Sequence, residues 1–139
     1  MRIFLDANIL FAASLPKSRT GVFFAEFQKH AVLITNVYAF EEARRNLAEK
    51  KPTSLPHLEF LLKHIEVTDV VITSLNFELA SKDIPILAGA IGSSATHLLT
   101  GDKRDFKPLW GKTIHGVKIV SPQMLADELM RKGLLKRAK

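Results

Sequence analysis

Cysteine is absent from the 139 residues, so the chain can form no disulfide and can hold no zinc through thiolates. That usage fits a reducing compartment, and a cytoplasmic location is expected. No run approaches the roughly 20 apolar residues of a membrane span. The apolar start is broken by Asp6 and Asn8, and no cleavage site of the usual kind follows, so no signal peptide is expected. No Gly-x-Gly-x-x-Gly follows the first apolar run, which argues against a dinucleotide-binding domain. Acidic residues are the minority, 14 against 20 lysines and arginines. The net charge of +6 makes a polyanion a plausible partner without proving one.

What is present reads as one globular domain over residues 1–139, with 47% apolar and 24% charged residues. Residues 3–5 form a short buried strand that runs straight into Asp6. Residues 9–15 read as a helix ended at Pro16, because a residue before proline is biased away from helical geometry. Residues 16–21 are polar and basic and read as a loop. Residues 22–29 carry Phe23, Phe24 and Phe27 at helical spacing, as core rather than as stacking partners for bases. A second strand is expected over 31–34, with Thr35-Asn36 capping a helix over 37–50 that Pro52 breaks.

Residues 53–64 repeat leucine at amphipathic spacing, and 65–72 are β-branched and strand-like. Residues 75–81 read as a helical turn or two. Asp83 suits the cap of a buried helix over 84–91, with Pro85 tolerable in its first turn. His97 to Thr100 is a third core strand, ended by Gly101-Asp102, and an irregular loop over 103–112 follows. Residues 117–120 are another strand. Ser121-Pro122 opens a helix that Gly133 stops, and 134–139 is a frayed basic tail. Strands alternating with helices predict an α/β protein, a three-layer α/β/α sandwich around a central parallel sheet.

In such sheets ligands sit beyond the carboxyl ends of the strands. Asp6 and Asp102 each end a strand there, and Asp105 follows three residues later. Asp83 starts a buried helix, and Glu41 and Glu42 lie on the helix after the second strand. Each acid also has a plain structural reading: Asp6 and Asp83 as helix caps, the glutamates as a solvated helix face, Asp105 as a loop residue. Converging carboxylates repel, and those left alone hold protons. A hard divalent cation with oxygen ligands, Mg²⁺ or Mn²⁺, resolves the repulsion. Such an ion activates water for displacement at phosphorus. His97, alone beside a core strand, reads as structural.

Four segments together resemble the PIN domain, the fold of many toxin–antitoxin ribonucleases of the VapC kind. They are Phe4-Leu5-Asp6-Ala7-Asn8-Ile9-Leu10, the helix segment from Tyr38 to Leu47, the segment from Asp83 to Ala90, and the strand–Thr100-Gly101-Asp102–x-x-Asp105-Phe106 piece. The resemblance covers roughly residues 2–120. It implies a Rossmann-like α/β/α fold and a metal-dependent endoribonuclease that leaves 3′-hydroxyl and 5′-phosphate ends. It implies Asp6, Glu42, Asp83, Asp102 and Asp105 as catalytic acids, with Asp6, Asp83, Asp102 and Asp105 on Mg²⁺ or Mn²⁺. Glu42 is preferred to Glu41 because it fits the family's Glu-x-x-x-x-Leu register. Asn8 and Thr100 would orient the acids.

Arg44, Arg45, Lys103, Arg104 and Lys107 are the candidate RNA contacts. The implied partners are RNA, a cognate antitoxin and a second copy of the chain, with no membrane. One rival is a domain of the same shape that binds RNA or protein without cutting. A second is a haloacid-dehalogenase-type phosphatase, which expects an aspartate where Asn8 stands.

Overall fold

The computed structural model describes residues 1–69 and 83–135. The expected helix over 75–81, the end of the expected strand at 70–72 and the tail residues 136–139 lie outside them. Six strands form one sheet: β1 (Arg2–Leu5), β2 (Val32–Asn36), β3 (Glu66–Thr68), β4 (His97–Leu99), β5 (Thr113–Ile114) and β6 (Val117–Val120). Their order across the sheet is β3-β2-β1-β4-β6-β5. All neighbours pair in parallel except β5, which is antiparallel to β6.

The helices are α1 (Ala7–Ser14), α2 (Arg19–His30), α3 (Val37–Lys50), α4 (Leu55–Leu62), α5 (Ile84–Gly92) and α6 (Pro122–Arg131). The step from β1 to β2 and the step from β2 to β3 run in one direction across the sheet, and the return to β4 runs in the other. Right-handed crossovers therefore place α1 to α4 on one face and α5 on the opposite face. No helix among the described residues is long and apolar enough to cross a membrane.

β1 sits at the centre, between β2 and β4, and Ile3, Phe4 and Leu5 are fully buried. A strand covered on both faces reads as an unbroken apolar run, which is the pattern of its sequence. α5 approaches this strand closely at Gly89. A Cβ there would lie 2.8 Å from the Phe4 ring and 2.5 Å from the Asn36 amide nitrogen. Asn36 ends β2 and accepts the Ala39 N–H at 2.9 Å, capping α3, while its amide donates to the Pro85 carbonyl at 3.2 Å. One side chain thus ties the start of α3 to the start of α5.

Several boundaries differ from expectation. α2 begins at Arg19, inside the expected loop, because Ser18 accepts the Gly21 N–H at 2.9 Å and caps it. α4 is shorter than the 53–64 expected, since Pro52–Ser54 forms a separate 3-10 turn first. β2 extends through Thr35 and Asn36. The sheet is not purely parallel. His115 and Gly116, at φ of 47° and 83°, make a tight turn that folds the two-residue β5 back along β6. Asp83 precedes α5 but makes no capping hydrogen bond, since its own backbone is already helical.

Candidate metal centre

The ends of β1 and β4 place the first two acids. Asp6 follows β1, and its buried carboxylate is held at both oxygens. Oδ1 accepts the Ala7 N–H at 2.7 Å. Oδ2 accepts from the Thr100 hydroxyl at 2.8 Å and the Asn8 amide at 3.1 Å. Asp6 thus caps α1 and also lines an acidic cavity. Thr100 Oγ1 in turn accepts the Asp102 N–H at 3.1 Å, and Asn8 Oδ1 accepts the Gly101 N–H at 2.8 Å. Asn8 and Thr100 therefore lock the end of β1 to the turn after β4. Asp102 Oδ1 accepts the N–H groups of Arg104 and Asp105 at 2.9 and 3.1 Å, which folds that turn back on itself.

Asp83 arrives from the opposite face on α5. Oxygens of Asp83, Asp102 and Asp105 lie within 4.8 Å of one another. Two ligands on opposite sides of Mg²⁺ are about 4.2 Å apart at a metal–oxygen distance of ~2.1 Å. The triad is thus close to the span that one shared divalent ion needs. Asp83 is 5% exposed, and its Oδ2 is buried without a hydrogen-bond partner among the described residues. Such an oxygen is costly unless a cation or a proton meets it. The donors are all carboxylate oxygens, which suits a hard ion. The residues fit a divalent cation.

Without an ion, Asp83 and Asp6 hold protons more readily than ordinary carboxyls. Burial, then the neighbouring Asp105 carboxyl, push Asp83 up to about 7. Burial pushes Asp6 up to about 6 despite the Thr100 and Ala7 hydrogen bonds, with Glu42 and Asp102 adding like charge.

Asp6, Asn8, Glu42, Asp83 and Asp102 line one cavity of about 210 Å³, together with Phe11, Asn46 and Lys50. Asp105 meets it through Asp83 and Asp102. Glu41 is not among its lining residues. It turns outward to Arg44, whose guanidinium at 2.7 Å holds its carboxyl below the usual range. Glu42, Asn46 and Lys50 recur every four residues on α3, so they share a face. That spacing was the available signal for Asn46 and Lys50, which the sequence reading did not single out.

The basic candidates separate. Lys103, Arg104 and Lys107 are exposed on the segment after Asp102, and Arg45 is exposed on α3. Arg44 is committed to Glu41. His97 sits at the other end of β4, away from the acids. It is buried and bonded to Glu128 Oε2 and Thr96 Oγ1, both at 2.8 Å, which pins α6 to the sheet.

No protein-family model matches the chain, and no curated protein matches it in sequence. Solved structures do share its fold. VapBC2 from Rickettsia felis, bound to a promoter DNA fragment, contains a chain 17% identical, with a TM-score of 0.62 over 87% of this chain and 98% of that one. FitAcB from Neisseria gonorrhoeae contains one 18% identical, with a TM-score of 0.56 over 87% and 98%. FitAB bound to an IR36 DNA fragment contains one 19% identical, with a TM-score of 0.54 over 86% and 94%. At these identities the likeness establishes the fold.

Proposed function

We propose that the chain is a metal-dependent endoribonuclease, the toxin component of a toxin–antitoxin pair. One observation carries the reading: Asp6, Glu42, Asp83, Asp102 and Asp105, from four separate segments, meet at the carboxyl edge of the sheet around a buried, unpartnered carboxylate oxygen. The shared fold with VapBC2 and FitAB chains supports the toxin assignment, and with it a cognate antitoxin.

In this reading Asp83, Asp102 and Asp105 would hold Mg²⁺ or Mn²⁺, with Asp6 a further ligand from the same cavity. When bound, the ion supplies a water of lowered pKa and offsets charge developing at phosphorus. Thr100 and Asn8 keep Asp6 aimed at it. Glu42 closes the cavity from the α3 side, where it can hold a water or a second ion. Lys50 lines the same cavity and limits its net negative charge, so a phosphate can approach. Lys103, Arg104 and Lys107 hold the flanking phosphates. The P–O3′ bond breaks, the water oxygen joins phosphorus, and a proton passes to O3′, leaving 3′-hydroxyl and 5′-phosphate ends.

The test is cleavage of a mixed RNA pool with Mn²⁺ or Mg²⁺. Wild-type protein should cut, and Asp6→Asn, Asp102→Asn and EDTA should each abolish cutting. Activity that survives both substitutions or the chelator sinks the reading. Tight Mn²⁺ binding with no cleavage would favour a binding module of the same shape.

A further inference from the structure

A second cavity, of about 330 Å³, opens one residue from the acidic site. Its walls include Arg19, Phe23, Gly101, Lys103, Trp110 and Gln123. Gly101 joins the two cavities: it stands between Thr100 and Asp102, and its N–H is bonded to Asn8, which lines the acidic side. Among the described residues that line the second cavity none is acidic. Two cations and two aromatic rings thus adjoin a pocket of carboxylates.

We propose that this cavity takes one nucleobase of single-stranded RNA, next to the phosphate held at the acidic site. The proposal rests on the nuclease reading and names how its substrate is gripped. The volume is at the small end of the roughly 300–1,000 Å³ of ligand pockets, which suits one ring system. Phe23 stacks on Phe27 at 5.9 Å through one face, and lines the cavity as well. Trp110 is half-buried and lines the cavity as well, a second aromatic side chain beside Phe23. Arg19 and Lys103 are exposed, and neither is paired with a carboxylate among the described residues. Flat rings flanked by cations are how proteins hold unpaired bases, since every base has a face to stack and a phosphate beside it.

Trp110 is the chain's single tryptophan, so its fluorescence reports this cavity alone. The full chain in EDTA is titrated with a short mixed-sequence single-stranded RNA, with an abasic oligonucleotide of equal length, and with duplex DNA. Saturable quenching by the RNA, absent with the abasic and duplex probes, is the expected result. Phe23→Leu, which keeps apolar volume, should weaken the titration roughly tenfold by removing a stacking surface. Lys103→Ala should lower its salt slope by about 0.7. No quenching by RNA, or equal quenching by the abasic or duplex probe, overturns the proposal. The two readings fail separately. Quenching in EDTA without cleavage on adding Mn²⁺ removes the nuclease and leaves the base pocket, and cleavage without quenching does the reverse.

Discussion

Asp83 and Asp105 bring carboxylate oxygens within 4.8 Å of each other, one at the start of α5 and the other on the turn after β4. Buried carboxylates this close repel each other, and burial with that repulsion favours a proton on Asp83. The metal-free site therefore stores a proton that a cation would displace, and this makes the site readable by pH.

Asp83 has its pKa pushed up to about 7, against 3.8 in the unfolded chain. Between those values the folded state binds more protons than the unfolded one, so stability falls as pH rises through the window. In EDTA the protein should be more stable at pH 5 than at pH 8. Asp83→Asn keeps the shape, supplies an N–H donor to Asp105 and removes the charge. It should flatten this dependence and stabilise the metal-free protein at pH 8 by about 1–2 kcal/mol. Urea unfolding at the two pH values measures it. An unchanged pH slope in the variant would mean that Asp83 is not the group that titrates.

Thr100 holds Asp6 and the turn of Asp102 with one hydroxyl. Thr100→Val keeps the volume and removes both bonds. The Thr100 bond lowers the Asp6 pKa, so its loss should move the acid limb of the activity profile to higher pH. Metal affinity or activity should drop roughly 10–100-fold, the usual effect of losing an outer partner of a ligand. A Mn²⁺ titration and a pH–rate profile check both, and a fall in rate with no movement of the acid limb would point to a packing effect.

The adjacent glutamates are separable. Glu42 lines the acidic cavity and Glu41 is tied to Arg44 on the outer side of α3. Glu42→Gln should lower cleavage at least roughly 100-fold, and Glu41→Gln should leave it within roughly threefold. Initial rates on one labelled RNA decide it. The reverse order of effects would mean that α3 is rotated by one residue in the active protein.

The placement of the carboxyl-edge acids was readable because Asp6 and Asp102 come just after apolar strands and Asp83 just before a buried helix, and parallel topology brings such ends together. The cavity-facing glutamate was not readable from residue pattern alone, since neighbours on a helix differ by about 100° and both are flanked by apolar positions. Only its fit to the PIN-type register favoured Glu42. Asp83 carried a misleading signal: an aspartate before a proline-bearing helix start suits a cap, but the turn is already helical there and the carboxyl lies beside those of Asp102 and Asp105 instead. β5 escaped notice because two residues are too few for a period, and a His-Gly turn with two positive φ angles lacks the usual asparagine. The second cavity is tertiary throughout, drawing Arg19, Gly101 and Trp110 from distant segments.

Gly89 sets how closely α5, and so Asp83, approaches the site. Its missing Cβ would meet the Phe4 ring and the Asn36 amide, and neither can retreat. Phe4 is fully buried at the sheet centre, and Asn36 is bonded at once to Ala39 and Pro85. Alanine favours a helix interior over glycine by roughly 1 kcal/mol, so propensity alone predicts stabilisation. Overpacking costs typically ~1–3 kcal/mol in a close-packed core, and with no free space on either side it should win. Gly89→Ala should therefore destabilise by about 1–2 kcal/mol. It should also push α5 outward, widening the Asp83–Asp102 separation and weakening Mn²⁺ binding more than stability. Thermal melts and Mn²⁺ titrations of this one variant separate the two effects. A stabilised variant with unchanged affinity would show that α5 is free to shift and that the close approach does not hold the metal site together.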